Sequence, residues 1–194
     1  YLMKFEECID IHVGGMFKGD PDRISKVQDL RYKEAIRILK LCPFTAESTV
    51  LDFGCGFGWI STHIAPKIKK LYCYDTNPAM VKFCHDTMTN HNNVKVLEHT
   101  DDVFSLHVDD IIAVNVMGEN FTIEPFSNLL KQLYTMLPIG GRLWFDFYDK
   151  GFIEQNLSVN SYSQQQVKDI IDDIGFNIKF IQKQVQGPKV LVQK

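Results

Sequence analysis

Three glycines fall at alternate positions in VLDFGCGFGWIS, Val50 to Ser61, directly after a short apolar run. Such a run reads as a buried strand, and Gly54, Gly56 and Gly58 give up side chains where that strand must turn into a helix. Bare backbone there lets a ligand lie against the main chain. An acid, Asp52, precedes the first glycine by two positions, and a second acid, Asp75, closes the next apolar run, KLYCYD. Phosphate-binding turns of dinucleotide sites read GxGxxG, with a third glycine that lets helix and strand touch. Here the pattern is GxGxG, and Trp59 occupies the place that third glycine needs. A carboxylate at position 52 repels a pyrophosphate and suits a ligand carrying an ammonium group.

The elements that must position these residues follow from pattern. Asp20 and Pro21 make a good helix start, and Ile24, Val27, Leu30, Ala35, Ile38, Leu39 and Leu41 recur at mostly helical spacing until Cys42-Pro43 stops the run. Strands are expected over 49–54, 70–75, 94–99, 110–116 and 142–148. Helices are expected from Trp59 to about Ala65, from Pro78 to about Thr89, from Glu124 to Leu137, and over Gln164–Gly175 behind a Ser163 cap. The runs 176–185 and 189–193 read as a hairpin around Gly187-Pro188. Short apolar strands alternating with helices predict a single doubly wound α/β domain: a mostly parallel seven-stranded sheet with an antiparallel edge hairpin. Residues 1–45 form an amino-terminal lid segment and helix of that domain, and 46–194 its ligand-binding body.

Composition narrows the partners. A chain of 194 residues with 45% hydrophobic and 23% charged content has the make-up of one globular domain. The formal net charge of -3 argues against a broad nucleic-acid surface, and the densest basic cluster, PKIKK (Pro66 to Lys70), reads as a solvated helix end. No apolar run approaches the ~18 residues of a membrane span, and the first residues carry no signal pattern. Cys8, Cys42, Cys55, Cys73 and Cys84 are odd in number and lack CxxC spacing, which fits reduced thiols in a cytoplasmic protein. His63, His85, His91, His99 and His107 show no metal-ligand spacing, and no metal is expected.

At this point the sequence resembles the class I S-adenosylmethionine-dependent methyltransferases. VLDFGCGFG is similar to the first motif of that family. LYCYDTNPAM resembles the second-strand motif, VKVLEHTDD the third strand and its adenine loop, LPIGGRLWFDFY the Gly-Gly approach to the fifth strand, and IIDDIGFNIKFIQ the final helix and sixth strand. The five motifs occur in order over roughly residues 46 to 194. The resemblance implies a Rossmann-like methyltransferase fold and S-adenosyl-L-methionine as cofactor, with S-adenosyl-L-homocysteine as product. It implies that Asp75 accepts both ribose hydroxyls and that Asp52 faces the methionine ammonium. Gly54, Cys55, Gly56 and Gly58 would line the turn, and Thr76, Asn77 and Met80 one side of the adenine. Either Asp101 or Asp102 would contact the base beside Val103, and Asn115 and Val116 would lie next to the reactive methyl.

Displacement at a sulfonium needs alignment and exclusion of water more than it needs catalytic groups. Where a base is needed, Glu119 beyond the fourth strand is the first candidate, followed by Tyr148 and His12. The segment VNVMGEN, Val114 to Asn120, lacks the NPPY-like tetrad of DNA and glutamine amino-group methyltransferases. Few residues are free to build a substrate site: 1–20, in which GGMFKGD (Gly14 to Asp20) reads as a lid, 117–124 and 149–162. A small-molecule acceptor is the expectation. The alternatives are a methyltransferase-like subunit that works through a partner protein, or a macromolecular acceptor. The residues do not specify an oligomeric state.

Overall fold

The structure is a computed structural model and describes residues 21–117, 122–149, 161–182 and 187–194. Helix α1 (Pro21–Leu41) leads to β1 (Thr49–Phe53). Next come α2 (Trp59–Ile64) with a 3-10 turn at Ala65–Lys67, β2 (Lys70–Tyr74), α3 (Pro78–Met88) and β3 (Val94–Leu97). A short α4 (Thr100–Phe104) precedes β4 (Asp110–Ala113), α5 (Ile123–Met136) and β5 (Arg142–Asp146). Helix α6 (Gln164–Ile174), β6 (Asn177–Gln182) and β7 (Lys189–Gln193) follow.

The strands form one seven-stranded sheet in the order β3-β2-β1-β4-β5-β7-β6. Strands β1 to β5 run parallel, and β7 lies antiparallel between β5 and β6. The expected hairpin is therefore present, with its second strand inside and its first at the edge. Strand order reverses between β1 and β4, and a crevice opens beyond the carboxyl ends at such a switch point.

Apolar side chains leave the sheet on both faces, which is why its strands read as unbroken apolar runs. On one face Leu51, Ile111 and Phe145 pack with Phe126, Leu130 and Ile171. On the other, Val50, Ile112 and Trp144 pack with Ile38 of α1, Ile64 of α2 and Cys84 of α3. Local signals set the helix ends. Asn77 caps α3 by accepting the Ala79 N–H at 3.0 Å, with Pro78 in the first turn. Ser163 and Gln166 form a reciprocal capping box on α6, which stops at a left-handed Gly175.

All five parallel strands end earlier than the sequence predicts: β1 and β2 by one residue, at Phe53 and Tyr74, β3 at Leu97 rather than His99, β4 at Ala113 rather than Val116, and β5 at Asp146 rather than Tyr148. Val114 and Phe147 stay buried past the ladder, so apolar character outlasts the hydrogen bonding that defines a strand. The acids expected in an adenine loop instead begin α4, where Asp101 and Asp102 occupy the first turn and complement its dipole. Among the described residues no helix is long and apolar enough to cross a membrane.

Candidate active site

A cavity of about 360 Å³ opens at the carboxyl tips of β1, β2 and β4. Asp52 to Phe57, with Trp59 and Ile60 at the start of α2, supply one wall, Tyr74 to Asn77 the second, and Val114 to Val116 the third. Arg31 of α1 reaches in from above the loop and completes the rim.

The three glycines perform three different tasks. Gly54 has φ +76°, and a Cβ there would lie 2.2 Å from Val116 Cγ2, so its bareness lets the β4 tip close against β1. Gly58 also has φ +76°, and a Cβ there would lie 2.6 Å from Met88 Cε. It lets α2 and α3 pack together and is not on the cavity wall. Gly56 alone faces open space, with nothing within 4 Å of a Cβ built on it. Its N–H donates to Asp75 Oδ2 at 2.9 Å, while the Gly54 and Cys55 amides donate to the Tyr74 carbonyl at 2.7 and 2.9 Å.

Asp75 stands at the tip of β2, half-buried. Each carboxylate oxygen accepts one backbone amide: Oδ2 from Gly56 and Oδ1 from Asn77 at 2.9 Å. Lone pairs remain on both oxygens for a diol. Asp52 lies on β1 at 2% exposure and accepts the Ser61 hydroxyl at 2.5 Å. Burial pushes its carboxyl up to about 7; the neighbouring Cys73 and Asp75 add to the rise, whereas the Ser61 hydrogen bond and Arg31 oppose it.

The β4 tip is held by a buried polar chain. Asn115 adopts φ +57°, a left-handed conformation that Asn tolerates better than most residues. Its N–H donates to Asp146 Oδ1 at 2.6 Å. With its amide oxygen toward α1, Asn115 accepts both Arg31 Nη atoms at 2.9 and 2.6 Å, and its amide nitrogen donates to Asp146 Oδ2 at 3.0 Å. Asp146 pairs in turn with Lys189 of β7, which lies 3.7 Å from Glu34 Oε1. Glu34 also accepts Trp144 Nε1 at 3.1 Å and pairs with Arg37 at 2.7 Å. Charges from α1, β5 and β7 thereby fix the pocket side of β4.

Of the residues singled out in the sequence, Asp52, Gly54, Cys55, Gly56, Asp75, Thr76, Asn77, Asn115 and Val116 meet on this one cavity. Gly58 sits behind it at the start of α2, packed against α3. Met80 and Val103 are fully buried in the core and do not reach the wall. Asp101 is exposed, and Asp102 borders a separate open cleft between α3 and β3. Tyr148 is also off the wall, following β5 with its carbonyl accepting the Tyr162 N–H at 2.8 Å. Glu119, His12 and the segment 14–20 lie outside the described residues. Arg31, Phe57, Trp59, Ile60, Tyr74 and Val114 line the cavity without having been singled out as ligand contacts. For Phe57 and Trp59, adjacency to the glycine turn was a usable signal. For Arg31 there was none, because only the fold carries α1 across the cavity mouth. Among the described residues, no three ligating side chains are placed to hold a metal ion.

A sheet of this order, with its crevice at the β1–β4 reversal and an acid at the tips of β1 and β2, defines a Rossmann-like methyltransferase fold. Residues 50–141 match the model of a methyltransferase domain, a little under half of the chain. The chain is 28% identical over 92 residues to ribosomal RNA small subunit methyltransferase A of Leuconostoc citreum, covering 47% of this chain and 30% of that protein. It is also 28% identical over 127 residues to phosphoethanolamine N-methyltransferase 3 of Arabidopsis thaliana, covering 62% and 26%. The chain thus spans about a third or less of the length of these curated relatives. In fold it is similar to a SAM-dependent methyltransferase from Aquifex aeolicus, with a TM-score of 0.66, 22% identity, and 89% and 97% of the two chains covered.

Proposed function

We propose that this chain is an S-adenosylmethionine-dependent methyltransferase that passes a methyl group to a small-molecule acceptor. The observation that carries this reading is the pair of carboxylates, Asp52 and Asp75, at adjacent strand tips on one cavity, with the open face of Gly56 between them. When bound, the cofactor supplies an electrophilic methyl on a positively charged sulfur. Asp75 holds the ribose hydroxyls on the lone pairs its two amide partners leave free. Asp52 takes the ammonium of the amino-acid tail, and Arg31 takes its carboxylate. Phe57, Trp59 and Tyr74 keep water from the nucleoside, with Thr76 and Asn77 beside the base. Asn115 and Val116 bound the space from which an acceptor approaches. A base, where the acceptor needs one, falls to Glu119 ahead of Tyr148, which lies off the wall.

The test is calorimetric titration with S-adenosylmethionine and S-adenosylhomocysteine, followed by incubation with methyl-labelled cofactor and a metabolite extract. Heat with both ligands and label in a small product support the reading, and absence of heat with either ends it. Similarity to the ribosomal RNA enzyme supports a second reading, a macromolecular acceptor, which label in added RNA rather than in small molecules would favour.

Two further outcomes belong to this site. Arg31→Gln is expected to weaken S-adenosylhomocysteine about tenfold, the worth of one charge-assisted contact, and to leave 5′-methylthioadenosine, which lacks the tail, unaffected. Equal losses for the two ligands would remove Arg31 from tail binding. Asp52 must ionise to meet the ammonium, so homocysteine-tailed affinity is expected to fall as pH drops through about 7, by up to tenfold per unit. The same raised carboxyl binds a proton in the folded chain that the unfolded chain has released. Its contribution to stability is therefore present at acid pH and lost as pH rises through about 7. Titrations between pH 5 and 8 in Asp52→Asn, where both slopes should flatten, check the assignment.

A further inference from the structure

The glycine turn carries a thiol that the proposed reaction does not use. Cys55 lies on the cavity wall, partly exposed, between Gly54 and Gly56. Its Sγ is 3.7 Å from Sγ of Cys84, a fully buried residue in the middle of α3. Gly58 brings the turn against this part of the helix, since a Cβ there would lie 3.1 Å from Cys84 Sγ. A third thiol, Cys73, is fully buried close by, with Sγ 3.3 Å from the Ser61 hydroxyl. Two sulfurs at van der Waals distance, one on the wall of an open cavity and one fixed in a helix, form an oxidisable pair.

We propose that Cys55 and Cys84 are a peroxide-sensitive modification site whose disulfide closes the cofactor site. The consequence for binding rests on the nucleoside reading given above. The Cys55 sulfur attacks hydrogen peroxide, the O–O bond breaks, one water leaves and Cys55 becomes a sulfenic acid. The Cys84 sulfur then attacks the Cys55 sulfur and expels the hydroxyl, which leaves as a second water with the proton of the Cys84 thiol. Two thiols lose two electrons in all, and one peroxide gains them. Contacts with Cys73 and Cys84, together with burial, hold the Cys55 thiol well above its usual range, and the same contacts hold Cys84 below it, so the pair reacts by virtue of its spacing and not through a preformed Cys55 thiolate.

Closing the gap from 3.7 Å to a bond of about 2.05 Å needs a movement of well over an ångström. Cys84 sits inside a packed helix, so the turn must supply most of it. Cys55 is bonded to Gly56, whose N–H holds Asp75 Oδ2, and the Cys55 carbonyl accepts the Gly58 N–H at 2.9 Å. Drawing Cys55 toward α3 shifts the Gly56 amide away from Asp75 and spoils the one part of the turn that faces open space. A nucleoside already in place covers the Cys55 sulfur, so ligand should slow the oxidation.

The test uses the full chain with S-adenosylhomocysteine as the probe. After graded hydrogen peroxide, intact mass should fall by two hydrogens, and a non-reducing digest should join the peptides of Cys55 and Cys84. Affinity should drop at least about tenfold and return with dithiothreitol. Saturating ligand should protect. Cys84→Ala should bind normally before oxidation and lose the cross-link, gaining oxygen at Cys55 instead, whereas Cys73→Ala should keep the cross-link. A cross-link between any other pair, no cross-link, or a cross-linked chain with unchanged affinity overturns the inference. A reduced chain that binds no ligand overturns both this inference and the functional reading, whereas normal binding without the cross-link overturns this inference alone.

Discussion

Asp75→Ala is expected to lower affinity for S-adenosylhomocysteine about a hundredfold. Two hydrogen bonds to a charged acceptor, each worth about 1.5 kcal/mol, give roughly 3 kcal/mol, or two decades in the dissociation constant. The substitution also frees the Gly56 and Asn77 amides, which now share that carboxylate at 2.9 Å each. Part of the loss therefore comes from a turn that is no longer shaped for its ligand. Asp75→Asn separates the two contributions. A carboxamide offers a single acceptor oxygen, so it can keep one amide partner but not serve both amides and a diol. An intermediate loss for Asn and a full loss for Ala is the expected order in calorimetry. Wild-type affinity in Asp75→Ala would show that the nucleoside is held elsewhere.

Lys189→Met is expected to be the most destabilising single change near the site, although Lys189 is not on the cavity wall. Lys189 is 2% exposed, and its ammonium lies between two buried acids, pairing with Asp146 and standing 3.7 Å from Glu34. Deleting it leaves Asp146 without its buried cation, while Glu34 keeps Arg37 and Trp144. Breaking a buried pair from one side costs about 3–5 kcal/mol. For a chain of this size that corresponds to a melting point lower by roughly 10 °C. Urea denaturation gives the measurement, and a small deficit would mean that methionine packing replaces the ion pair without penalty.

Much of this architecture could be read from local pattern, and the exceptions have physical causes. The strand cores and the caps at Asn77 and Ser163 depend on neighbours only a few residues away, so spacing alone discloses them. Strand ends do not, because Val114 and Phe147 are as apolar and buried as ladder residues yet fall just outside the ladder. The glycine turn was visible as a unit, but its division of labour was not. That Gly54 admits Val116 and Gly58 admits Met88 depends on β4 and α3, which are distant in sequence. The polar residues of α1 show the limit most clearly. Arg31, Glu34 and Arg37 look like an ordinary solvated face, yet Glu34 is 6% exposed and Arg31 reaches the cavity. Nothing in the composition of a helix announces which of its charges will be buried against a sheet.

The placement of β7 bears on synthesis as well as on stability. A nascent chain released only as far as residue 188 already contains the glycine turn, both strand-tip acids and the β4 tip. It lacks the ammonium that neutralises Asp146, the residue to which the Asn115 amide is anchored. The β4 side of the cavity should accordingly set only when residues 189–193 slide between the two strands that await them.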